Sequence, residues 1–76
     1  MKEQLYKLLK SKAISEKEEA ITTLKLMGEY PAGIGDHSTK DFYENVEEAL
    51  SKLVDADDKL NTLEKYKSEL FSVRQK

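Results

Sequence analysis

A histidine and two carboxylates meet at one place in this chain: Asp36-His37, with Asp41 four residues past the histidine. An imidazole one helical turn from a carboxylate can hold a cation or trade a proton. Either task also needs a concave, water-excluding pocket with further positioned partners. One histidine and no cysteine in 76 residues leave a structural zinc site without ligands. Asp36 and His37 therefore read as residues that cap the following helix or face water.

Two other stretches invite chemistry and fail on their spacing. Gly33-Ile34-Gly35 suggests a phosphate loop, because glycines let backbone N–H groups approach an anion. It lacks a preceding strand, a third glycine at the right offset and a Gly-Lys-Ser/Thr ending. The simpler reading is a helix stop at Gly28 and a tight turn through Pro31, Gly33 and Gly35, with Ile34 plugging the end of a bundle. Asp55-Ala56-Asp57-Asp58 looks like the start of a calcium loop. Such a loop needs glycine at its sixth position and glutamate at its twelfth, where this chain has Leu60 and Tyr66. The expectation is a non-catalytic protein with no metal and no cofactor.

The elements that would position these residues are helical. Gly28 to Ser38 holds all three glycines, the only proline and the only histidine, and so cuts the chain into two helical arms. In the first arm, Leu5, Leu8 and Leu9 form a short stripe with Tyr6 beside it; Ala20, Ile21, Leu24 and Met27 form a second. Between them Ser15 to Glu19 is polar throughout, and Ser15 with Glu18 fits a capping box. This predicts two helices, about 2–12 and 16–29, broken near Ile14, with one bent or continuous helix as the alternative.

The second arm starts at a Ser38 or Thr39 cap and reads as one long helix, about 39–74. Val46, Leu53 and Leu60 recur every seven residues, as do Ala49, Ala56, Leu63 and Leu70, an a/d seam interrupted by Lys67. Asp55, Asp57 and Asp58 are poor helix formers and offer a kink, but the heptad register continues through them. At 1.5 Å per residue such a helix is about 54 Å long, whereas helix 16–29 is about 21 Å long. Leu50, Val54, Tyr66 and Phe71 add apolar surface off the seam. The fold class is thus an all-α helical hairpin, one domain over 1–76, and the excess apolar surface predicts a homodimer through Val46, Leu53, Leu60, Leu63, Leu70 and Phe71.

Composition agrees. A chain this short buries only about 60% of its unfolded surface, so it needs good helix packing or a partner subunit. No apolar run approaches the roughly 20 residues of a membrane span, and Met1-Lys-Glu-Gln-Leu5 lacks the apolar core of a signal peptide. A cytoplasmic setting without a membrane is expected. Residues 36–58 carry eight acidic side chains against two basic, whereas 59–76 carry five basic against two acidic. In a hairpin the basic ends of both arms would meet far from the turn. Helix-dipole complementarity and i,i+4 pairs such as Glu48–Lys52 and Asp55–Lys59 account for much of this pattern. A weak nucleic-acid-binding accessory protein that uses these basic helix ends is the alternative; it is not favoured, since the net charge is −2 and Arg74 is the only arginine.

Gly28-Glu-Tyr-Pro-Ala-Gly-Ile-Gly-Asp-His-Ser38, Phe42-Tyr-Glu-Asn-Val-Glu-Glu-Ala-Leu-Ser-Lys-Leu53 and Leu60-Asn-Thr-Leu-Glu-Lys-Tyr66 resemble small uncharacterised proteins of large T-even-type bacteriophages. The resemblance covers about 28–66; the first arm adds little. It implies a phage origin and a host-cytoplasm setting, and it brings no activity or site residues. The functional expectation is a small interaction module that self-associates and modulates a host or replication protein.

Overall fold

Helix formers run without glycine or proline from Lys2 to Met27, and in the computed structural model of the protein they form a single helix, α1 (Lys2–Gly28). The structure describes residues 1–29 and 39–74. A second helix, α2 (Thr39–Phe71), folds back along the first, so the architecture is an antiparallel hairpin. Its principal extents are 52 × 20 × 14 Å. The expected turn residues Tyr30, Pro31, Gly33, Ile34 and Gly35, together with Asp36, His37 and the cap Ser38, lie outside the described residues.

The break expected near Ile14 is absent: α1 is continuous through Ser15-Glu16-Lys17-Glu18, and no capping box opens there. The polar stretch is tolerated because only every seventh position of α1 must be apolar. The buried residues are Tyr6, Ala13 and Ala20, and Met27 continues the same seven-residue row, half-buried. Ser15 to Glu19 falls between two layers of that row. There Glu16 and Lys17 turn to opposite sides and pair across to Lys59 and Asp57, each at 3.3 Å.

The matching row on α2 runs through Ala49 and Ala56, both buried, and Leu63, half-buried. Four alanines thus make the middle of the seam, two from each helix. Alanine carries one methyl group, loses no rotamer freedom and has the best helix propensity. The helices approach on these methyls, and among the described residues no large side chain is fully buried. The stripe Leu5, Leu8 and Leu9 is therefore not the core face of α1, as its spacing had implied. All three are exposed, while Tyr6 beside them is buried. Tyr6 closes the open end of the hairpin: its ring packs against Phe71 at 5.7 Å between centroids, and its hydroxyl donates to Glu64 at 3.2 Å.

The long helix runs through Asp55, Asp57 and Asp58 without a kink, in line with its unbroken heptad register. It ends at Phe71 rather than near residue 74. Ser72 adopts a left-handed φ of 58°, and the N–H groups of Ser72 and Val73 donate to the carbonyls of Ser68 and Lys67, both at 3.1 Å. This is a left-handed C-cap, a position that favours glycine. The helix stops ahead of Arg74, so its last turn holds no basic residue. α1 stops at Gly28, with Glu29 as a right-handed cap (φ −86°, ψ −11°) whose N–H donates to Leu26.

Two opposite substitutions follow. Ser72→Gly is expected to stabilise the protein by about 1 kcal/mol by removing a left-handed non-glycine residue. Gly28→Ala is expected to add about 0.5–1 kcal/mol: the new methyl would meet nothing within 4 Å. Thermal unfolding followed by circular dichroism tests both, and a lower midpoint for either variant contradicts the cap it rests on.

Candidate functional site

The two cross-helix ion pairs mark the two flanks of the hairpin. Lys17–Asp57 lies on one flank and Glu16–Lys59 on the other. Since the seam repeats every seven residues, each flank can be followed along the rod at the same interval. From Lys59, the second flank continues through Asn45, Lys52 and Tyr66, and from Glu16 through Leu9 and Thr23. Two open grooves lie on it, of about 410 and 400 Å³. The larger is lined by Glu16, Thr23, Lys52 and Lys59 over a floor of Ala20, Ala49 and Ala56. Its acidic and basic side chains alternate, and Lys52 also pairs with Glu48 at 3.9 Å. The expected Asp55–Lys59 pair is replaced, since Lys59 reaches across to Glu16 instead. Exposed pairs of this kind each contribute about 0–1 kcal/mol, so they set register more than stability.

The first flank is different in kind. From Asp57 the row passes through Leu50 and Tyr43, and from Lys17 it reaches Leu24. Beneath lie Val46, Leu53 and Leu60, half-buried; beside them stand Ile14 and Val54, exposed, and Ile21, half-buried. Leu50 and Val54 keep 51% and 49% of their surface in solvent although both are large and apolar. One side of the rod thus carries a run of apolar side chains from Ile14 to Leu50 and Tyr43, crossed by the Lys17–Asp57 pair and with Glu47 in the row of Val54. Of the residues expected to form a self-association seam, Val46, Leu53, Leu60 and Leu63 are half-buried within the hairpin. Phe71 is half-buried against Tyr6, and Leu70 is exposed.

The exposed area is large for the mass. A compact monomer of 8.7 kDa would expose about 4,700 Å². The hairpin exposes 6248 Å². The difference, roughly 1,500 Å², exceeds the ~800 Å² that each partner buries in a standard interface. A hairpin only two helices wide has no third layer to cover its flanks.

At the open end the polar groups are tied to the fold. Lys67, whose side chain is only 15% exposed, donates to Glu64 at 2.8 Å. That hydrogen bond is the main reason the Glu64 carboxyl lies below its ordinary range; the Tyr6 hydroxyl adds a smaller push and desolvation opposes it. The same bond holds the Lys67 ammonium above its ordinary range. A carboxyl whose pKa is depressed on folding contributes stability above its unfolded value, and that contribution is lost as pH falls through the folded value. The lysine contribution is lost only in strong base, as pH rises through its raised value. Glu64→Gln is therefore expected to flatten the loss of melting temperature between about pH 6 and pH 3 relative to the parent. Identical acid limbs for the two proteins would contradict this.

Among the described residues no group of three or more histidines, aspartates or glutamates could hold a metal ion. No helix among them is long and apolar enough to cross a membrane. Comparison with protein-family models, curated proteins and solved structures returns no match.

Proposed function

We propose that this protein is a small non-catalytic helical interaction module that pairs with a second copy through its apolar flank and offers its remaining helix surface to another protein. The observation that supports the reading most is the apolar flank of Ile14, Leu50 and Val54, on a rod that exposes far more surface than its mass requires. In the phage setting suggested by the sequence resemblance, the other protein would be a host or replication protein and the place of action the host cytoplasm. Sedimentation equilibrium at micromolar concentration tests self-association. A homodimer is expected, and a strict monomer would count against the reading.

A second reading has an observation of its own. The hairpin gathers Lys2, Lys7, Lys10 and Lys12 of α1 near Lys65, Lys67 and Arg74, a basic end that a nucleic-acid backbone would fit. Phosphate contacts release counterions, so binding through this end would weaken steeply with salt. Absence of binding to DNA and RNA at low salt eliminates it.

A further inference from the structure

Resting on the self-association reading, we propose that the two copies pair antiparallel, flank on flank, to make a four-helix bundle in which the basic end of each rod lies over the acidic end of the other. The hairpin is electrically lopsided along its length. Its open end carries Lys2, Lys7, Lys10, Lys12, Lys65, Lys67 and Arg74 against Glu3, Glu64 and Glu69, with Lys67 paired to Glu64. Its turn end carries Asp41, Glu44, Glu47 and Glu48 on α2 and Glu18 and Glu19 on the turn half of α1, against Lys25, Lys40 and Lys52. Glu19 and Glu48 line the groove of the other flank and add to the charge of this end without entering the contact. Each helix is polarised by itself, and the antiparallel fold of α1 on α2 brings the two basic ends together and the two acidic ends together, so that each end of the rod carries a surplus of one sign.

A two-fold dimer through the apolar flank can align the rods in two ways. Parallel rods stack like ends, bringing lysines onto lysines and carboxylates onto carboxylates. Antiparallel rods put each α2 beside the other copy's α2 running the opposite way, so that its acidic first turns face the stretch of its twin that carries Lys65 and Lys67. The charge pattern rewards the second arrangement and penalises the first, which is how complementary surfaces select an orientation.

The apolar residues fit the same arrangement. The Lys17–Asp57 and Glu16–Lys59 pairs set the register of the hairpin, and one turn further from the open end Ile21 comes level with Val54. A two-fold axis at that level sets Ile21 and Val54 each against its own copy. Leu50 then covers the partner's apolar flank beside Asp57, on the far side of the axis. A self-complementary patch of this kind is what an isologous interface requires. It also closes the assembly at two copies, because each rod has one such flank.

The chain has no cysteine, so a single introduced thiol is a unique probe site. Ser68→Cys carries a nitroxide label on an exposed position near the open end. Ser68 lies fourteen residues from Val54, so the labels of an antiparallel dimer are about 42 Å apart along the rod, at 1.5 Å per residue. Parallel rods would hold them within about 20 Å, since adjacent helices lie 8–10 Å apart. Pulsed electron-spin distance measurement on the dimer is expected to give the long distance. Dissociation is expected to strengthen with added salt, because the contact is attractive and screened. A short distance, or a dimer tightened by salt, overturns the antiparallel arrangement and leaves self-association standing. A monomer by sedimentation overturns both. Leu50→Lys combined with Val54→Lys is expected to raise the dissociation constant at least about a hundredfold, from two charges placed in an apolar contact. An unchanged constant in that variant, with helicity by circular dichroism intact, would put the interface elsewhere and overturn the proposal.

Discussion

Tyr6→Ala is expected to lower the unfolding free energy by about 3–5 kcal/mol, the cost of truncating a buried aromatic side chain. Domains are held by about 5–15 kcal/mol in total, and a 76-residue hairpin sits near the bottom of that range. The substitution would therefore remove most of its stability. Tyr6 has this weight because, among the described residues, it is the only large side chain that is buried; the other four buried there are alanines. Its ring meets Phe71 and lies under the Lys10 ammonium, 5.7 Å from the ring centroid in each case. Tyr6→Phe keeps the ring and loses only the hydroxyl bond to Glu64, so a cost of about 0.5–1.5 kcal/mol is expected. Urea unfolding of the three proteins at one concentration separates ring from hydroxyl. If Tyr6→Ala lies within 1 kcal/mol of the parent, the open end of the hairpin is not closed by this residue.

Ala56→Leu is the second large effect, with an expected loss of about 1–3 kcal/mol. Adding a larger apolar side chain usually looks favourable in so small a core. Here the seam is built for methyl groups: Ala56 is 1% exposed and Ala13 2%. A leucine at this level must either part the helices or push its added carbons sideways among the charged groups of the groove beside Ala56, and either course strains the Glu16–Lys59 pair. Leu50→Ala, only one or two turns away, is expected to change the stability of a single hairpin little because Leu50 is already half in solvent. Thermal unfolding of Ala56→Leu and Leu50→Ala in dilute solution shows the contrast. A stabilised Ala56→Leu would mean that the alanine seam is loosely packed.

The long helix was legible because its leucines and valines repeat every seven residues over more than three heptads, and because nothing between Phe42 and Phe71 interrupts a helix. Its true end was not legible. Helix propensity continues past Phe71, and the stop depends on a serine taking a left-handed conformation that a glycine would have announced. α1 was misread for a related reason. Its core row is Tyr6, Ala13, Ala20 and Met27, a perfect seven-residue interval whose two central members are small and draw no attention beside Leu5, Leu8 and Leu9. A search for the interval alone, blind to side-chain size, would have found it. The Lys59 partner was also misassigned, because an i,i+4 neighbour can be read along a chain whereas Glu16 becomes a neighbour only after the hairpin closes.

By itself the sequence determined the two helical arms, their division at the glycine- and proline-bearing stretch, the uninterrupted course of the second arm and the surplus of apolar side chains. These are consequences of local preference and periodicity, which each segment carries alone. Only the tertiary structure decided which apolar residues are covered and which are left in water. Burial depends on the partner helix: four alanines let the arms lie close, so the alanines and Tyr6 fill the seam while Leu50, Val54 and Ile14 are turned to a flank. Each arm already carries a basic and an acidic end in its sequence; folding one arm on the other decided that the two basic ends lie together and the two acidic ends lie together.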